Sequence, residues 1–235
     1  MSAAARFLLS ALAAVLTLGL PAMAHAQLAG AVLVESDYRL RGRSVSDERP
    51  VAQARLSYDD DSGFYTDGSA TVVATHYDGP RFLGYQFDVG YATRLGPLWT
   101  LDVGFAHDHL RAPYPGGFGY HEDQAYVGVT RGPLSAYLFA SPRYGRLKTA
   151  TVYGQLEATF VPAVKWHLTA HAGALDLLDS SAPFTRIYDW RLGVAREIGG
   201  LEIHAALSGD VPGGEAHRIG IPAKSALTAG ASFSF

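Results

Sequence analysis

The chain has 235 residues, no cysteine, 19 Lys and Arg against 22 Asp and Glu, and a formal net charge of −3. The missing cysteine excludes disulfides, and the mild acidity argues against a nucleic-acid partner, which would want a basic stripe. Beyond residue 26, charges and glycines interrupt every apolar run well short of the about 20 residues that a spanning helix needs.

Residues 1–26 read as a secretory signal peptide. Arg6 is the only charge in them, Phe7 to Leu20 is apolar, and Pro21 precedes Ala24-His25-Ala26, a small-x-small cleavage site. Cleavage is expected after Ala26, leaving residues 27–235 as one domain exported to the periplasm and beyond.

The rest of the chain repeats a strand and a turn. Val32, Val34, Tyr38 and Leu40 share one face of the first strand, opposite Glu35, Asp37, Arg39 and Arg41. Period-2 alternation gives a strand with one apolar and one polar face. The pattern recurs at Ala52–Tyr58, Leu83–Tyr91, Trp99–Phe105, Val152–Phe160, Trp166–Ala172, Tyr188–Val194 and Leu201–Leu207. Weaker versions run through 64–76, 124–130 and 134–141. The last run, Leu227, Ala229, Ala231, Phe233 and Phe235, ends the chain on an aromatic residue.

Alternation alone does not separate a soluble sandwich from a membrane barrel. The export signal and the terminal Phe235 favour the barrel, with Phe235 as its assembly signal. In lipid only a closed barrel satisfies every backbone group of a sheet. The expectation is an all-β, closed antiparallel transmembrane barrel of about twelve strands, in the outer membrane.

Tight turns at 59–63, 95–97, 131–133, 161–163 and 198–200 alternate with longer connections at 43–50, 77–82, 107–122, 142–148, 175–185 and 209–224. Short periplasmic turns and long outer loops follow that rule. None of these loops has the length expected of a folded-in plug. Aromatic residues at strand ends, Tyr38, Tyr58, Phe64, Tyr91, Trp99, Phe160, Trp166 and Phe233, suit membrane interfaces.

Ser36-Asp37-Tyr38-Arg39-Leu40-Arg41-Gly42, then Ser44, Ser46-Asp47, Pro50 and Gln53, and later Ser62-Gly63-Phe64-Tyr65, resemble the opening of the TorF porin family. The resemblance covers about residues 34–75. It departs at Arg39, where an aromatic or aliphatic residue is expected, and at Thr66-Asp67-Gly68. It implies an outer-membrane barrel and passive transport, and it carries no catalytic residues.

The expected pore lining is Glu35, Asp37, Arg39, Arg41, Arg55, Asp88, Asp102, Glu157, Asp189 and Arg191. Mixed charges of this kind suit a polar channel. Arg39, Arg41 and Arg55, on the first two strands, would form one basic patch facing Asp88, Asp102 and Glu157. Small polar or anionic solutes would then pass with weak ion selectivity. The alternative is an interior of paired charges that conducts nothing.

His107, His109, His121 and Asp123 share one face if residue 109 pairs with 121, a ligand set suited to zinc. The other reading places them at the interface with lipopolysaccharide headgroups or water. No cofactor is expected. A lipid-modifying enzyme is the third reading, with His167 and His171 on one strand face and Ser135 elsewhere, but no nucleophile motif surrounds any serine. The expected partners are outer-membrane lipid and lipopolysaccharide, the barrel-assembly machinery and small polar solutes.

Overall fold

The structure, a computed structural model, describes residues 28–75, 79–112, 119–144, 149–178, 186–212 and 224–235. The expected signal peptide and much of the longer connections lie outside the described residues. The strands are β1 (Leu28–Glu35), β2 (Arg39–Leu40), β3 (Arg43–Ser44), β4 (Val51–Asp59), β5 (Phe64–Ala74), β6 (Pro80–Leu95), β7 (Trp99–Leu110), β8 (Tyr120–Arg131), β9 (Leu134–Tyr144), β10 (Thr149–Ala163), β11 (Trp166–Leu177), β12 (Arg186–Ile198), β13 (Leu201–Pro212) and β14 (Lys224–Ser234).

Among the described residues, β1 and β4 to β14 close into one antiparallel barrel of twelve strands, each paired with its chain neighbours, and β1 pairs with β14 at the seam. β2 and β3 form a separate small hairpin.

The barrel is apolar outside and polar within. Leu56, Phe87, Val103, Leu138, Leu156, Leu192, Ile203 and Leu227 are exposed, while Thr71, Glu122, Asp189 and Asp210 are buried. Leaving that many large apolar side chains in water would forfeit about 25 cal/mol for each Å². Lipid around the wall and water inside it remove the conflict.

Exposed aromatic residues stand at both ends of the wall, Phe82, Tyr85 and Tyr188 at the end of the longer connections and a larger group at the tight-turn, periplasmic end. Phe64, Tyr91, Trp99, Phe160 and Trp166 are exposed there. Arg131 lies 5.1 Å over Trp99 and Arg196 5.1 Å over Trp166, so outward-facing guanidinium groups sit on the girdle rings.

Two expected elements are corrected. The first wall strand stops at Glu35 rather than running to Arg41, and Tyr38 leaves the girdle for the interior. The proposed turn at Val161-Pro162-Ala163 belongs to β10, where a register shift between Phe160 and Ala163 accommodates the proline. The turn lies at 164–165, with Lys165 in the left-handed region (φ 67).

At the seam the backbones of Gly30 and Phe235 exchange two hydrogen bonds of 2.8 Å. The Phe235 ring lies on Gly30, where an added Cβ would come within 2.6 Å of it. Phe235→Asp is therefore expected to lower the yield of folded barrel, and Gly30→Leu to do so by displacing the same ring. Heat-modifiability on gels measures it, and unchanged folded fractions in both variants would show that the ring adds nothing to closure.

Candidate functional site

The segment 36–50 leaves the wall and folds into the lumen. Ser36 is the last residue held by the seam: its N–H donates to the Ala229 carbonyl (2.9 Å), and its Oγ accepts from the Ala229 N–H (3.0 Å). Asp37 then gathers the segment around its buried carboxylate. It accepts from Arg39 Nη1 (2.9 Å), Ser44 Oγ (2.5 Å) and Ser46 Oγ (2.9 Å). Arg41 and Gly42 take left-handed φ values of 46 and 74, which turn β2 back on β3. A Cβ on Gly42 would lie 2.3 Å from the Gly209 carbonyl oxygen, so both conformation and space call for glycine there.

Long side chains tie this hairpin to the wall. Tyr38 donates to Gln86 on β6 (2.5 Å). Arg43 donates to Asp210 on β13 (2.8 Å). Arg41 reaches Glu122 (3.1 Å) and Gln124 (2.8 Å) on β8, with its guanidinium 4.3 Å from the Tyr153 ring centroid. Val45 adds an apolar anchor among Val51, Val73, Leu83, Leu110 and Tyr120. The outer half of the lumen is thus strapped from β1 and β4 across to β6, β8 and β13. A connection too short for the expected folded-in plug thus still turns into the lumen.

Below and beside the strap, among the described residues, lie cavities of about 440, 450 and 390 Å³. The first shares Asp88 and Glu157 with the second, and Glu35 and Arg191 with the third. All ten expected pore-lining residues border one of them. Glu35, Arg55, Asp88, Asp102, Glu157, Asp189 and Arg191 do so from wall strands, Asp37, Arg39 and Arg41 from the strap.

The three expected neighbours Arg39, Arg41 and Arg55 do not form one basic patch. Each is spent on a different carboxylate: Asp37 (2.9 Å), Glu122 (3.1 Å) and Asp67 (2.6 Å). On the β10–β12 wall, His171 bonds Asp189 (2.7 Å) and Tyr153 (3.0 Å), and lies 3.5 Å from Glu157. His167 faces the third cavity. Ser135 on β9 hydrogen-bonds Thr130 (2.9 Å) and stands two strands from His171 on β11, with Glu157 between them in register.

Sequence reasoning missed a set of lumen aromatics. Tyr126, Tyr137, Phe139 and Tyr153 form a continuous run, with centroid separations of 6.2 Å (Tyr126–Tyr137), 5.9 Å (Tyr137–Phe139) and 6.0 Å (Phe139–Tyr153). The cause is cross-strand pairing with glycine. Tyr65 pairs with Gly90, Tyr126 with Gly104 and Tyr137 with Gly128. A Cβ on any of these three glycines would meet the tyrosine at 2.2–2.5 Å. Each ring therefore lies over a bare stretch of backbone. The available signal was a tyrosine at lumen parity opposite a glycine in the next strand. Asp102 accepts from Tyr65 (2.7 Å) and Tyr137 (3.1 Å), which fixes it beside the rings.

The register of the histidine cluster is as expected: His107 pairs with Asp123 and His109 with His121. The four side chains form one chain of contacts, with His121 Nε2 also 3.8 Å from Asp123 and the His107 and His121 rings edge to face at 5.2 Å. His107 Nδ1 lies 2.6 Å from Asp123, His109 Nδ1 lies 3.4 Å from His121 Nδ1, and Tyr85 stacks on His107 and His109. Among the described residues no group of three or more such ligands is placed to hold a metal ion, His107, His109, His121 and Asp123 included.

The fold is similar to that of solved porins. A KdgM porin aligns at a TM-score of 0.55 and 11% identity, over 88% of this chain and 99% of that one. A KdgM porin in complex with disordered oligogalacturonate aligns at 0.55 and 10% identity, with the same coverage. A NanC porin aligns at 0.54 and 10% identity, over 88% of this chain and 98% of that one. No curated protein is significantly similar in sequence. The family model described as "Bacterial protein of unknown function (Gcw_chp)" matches residues 21–212, most of the chain, and the protein belongs to that family.

Proposed function

We propose that this protein is an outer-membrane channel that passes small polar solutes and prefers cations. The observation that carries the reading is a set of cavities of about 440, 450 and 390 Å³ that share charged lining residues, inside a barrel whose outer face is apolar. The porin folds of the KdgM and NanC proteins support it, as does the TorF-like opening at residues 34–75. Export by residues 1–26 and insertion by the barrel-assembly machinery, with Phe235 as its signal, complete the route. Outer-membrane lipid and lipopolysaccharide then surround the wall.

The cation preference follows from which charges are already neutralised. Carboxylates bordering the cavities include Glu35, Asp37, Asp59, Asp67, Asp88, Asp102, Asp108, Glu157, Asp189 and Glu202, against Arg39, Arg41, Arg55 and Arg191 and the histidines His167, His171 and His204, of which His171 contacts Asp189 and Glu157 and His204 contacts Glu35. Three of those arginines are paired. Among the described residues, Asp88, Asp102 and Asp108 have no lysine or arginine within ion-pair distance. A narrow lumen with surplus carboxylates concentrates cations. This replaces the expectation of anionic solutes and contrasts with the carboxylate-bearing oligogalacturonate named for the KdgM complex.

Proteoliposome swelling tests passage. Liposomes carrying the folded barrel are expected to swell in an osmotically matched solution of a small neutral sugar, and not in a large dextran. No swelling in either would favour the plugged barrel, with the 36–50 strap as the plug.

A further inference from the structure

We propose that the periplasmic half of the lumen is a transit site for organic cations, solutes carrying an ammonium or guanidinium group on an apolar body. This rests on the channel reading and names its substrate class. The site is the cavity of about 450 Å³ bounded by β4 to β10.

Two independent features define it. The first is the aromatic platform of Tyr126, Tyr137 and Phe139, with Tyr65 beside it. The glycines opposite the three tyrosines let these rings lie against the wall rather than stand out from it. The rings line the cavity at different tilts, Tyr137 and Phe139 at 28° to each other and Tyr126 at 64° and 45° to them, and a ring face carries the negative lobe of the quadrupole, which attracts cations and also accepts an apolar body. The second is the sign of the surrounding charge. Asp59, Asp67, Asp88, Asp102 and Glu157 line this cavity against Arg55 alone, and Arg55 is bound to Asp67 at 2.6 Å.

A neutral sugar would use the rings but leave the carboxylates without a counter-charge. An anion would be repelled. A bare inorganic cation would use the carboxylates but gain little from rings spaced about 6 Å apart. An organic cation uses both. Asp102, held by the hydroxyls of Tyr65 and Tyr137, is the fixed counter-charge, and Phe139 is the ring with no hydroxyl to spend on other bonds.

The test uses the full barrel in planar bilayers with choline as the probe, and mannose and gluconate as neutral and anionic controls. In KCl, choline is expected to interrupt the potassium current in a concentration-dependent way, and mannose and gluconate are not. Asp102→Asn and Phe139→Leu are each expected to weaken that block about three- to tenfold, the range for loss of one charge or ring contact. Phe139→Leu breaks no hydrogen bond and keeps the site apolar, so it reads the ring if Asp102→Asn fails to fold. Potassium steps with no choline block, or block equal to that by mannose, would overturn the organic-cation site while leaving the channel standing. If no potassium steps are seen, the channel reading fails separately. Calorimetry of choline on the barrel in detergent then separates binding from transit: binding weakened by Phe139→Leu upholds organic-cation recognition at the rings and overturns transit, and no binding overturns both.

Discussion

Val103→Arg is expected to destabilise the folded barrel in lipid by about 2–4 kcal/mol, the cost of an outward arginine near the bilayer midplane. Val103 faces outward and lies four residues into β7 from the girdle residue Trp99. Leu168→Arg is expected to cost less, about 0–1 kcal/mol, because Leu168 lies only two residues from Trp166, where the side chain can reach the headgroups. Thr169→Arg, one residue on, points into the third cavity and is expected to cost little and to alter conduction instead. Reversible unfolding in lipid vesicles measures the ranking. A larger loss for Thr169→Arg than for Val103→Arg would reverse the assignment of inside and outside.

Arg41→Ala is expected to have the largest effect inside the lumen. It leaves Glu122, 1% exposed, without its counter-charge. Removing one partner of a buried ion pair costs about 3–5 kcal/mol. The wall keeps its backbone ladder, so the loss is expected as release of the 36–50 strap, with higher single-channel conductance and faster proteolysis within 36–50. Adding Glu122→Gln should restore much of the docking, since an amide tolerates burial better than an unpaired carboxylate. Wild-type conductance and proteolysis in Arg41→Ala would mean that Arg41 does not hold the strap.

The barrel wall was legible because its cause is local. Period-2 alternation, turn residues and the end signals pointed to twelve strands and to the outward face of the strongly alternating ones, including Leu101, Val103 and Phe105 on β7. The strap was not legible, and the reason is specific. Asp37, Arg39 and Arg41 continue the parity of Glu35, so a wall strand and an inward hairpin look alike by alternation. What separates them is long-range: Arg41 to β8, Arg43 to β13, Gly42 against Gly209. The histidine register was read correctly, but pairing two strands does not set where ring nitrogens point. The aromatic platform was missed because tyrosines at polar positions pass as ordinary lumen residues until their glycine partners are known.

A conducting lumen with surplus negative charge sets the sign of the barrel's ion selectivity. The direct measurement is the reversal potential of the purified, heat-modifiable barrel in a planar bilayer under a KCl gradient. Discrete conductance steps, with a reversal potential displaced toward the potassium equilibrium value, are the predicted result. Neutralising Asp88 and Asp102 together should move that potential toward zero. A folded barrel that gives no steps, or a reversal potential on the chloride side, would contradict the account.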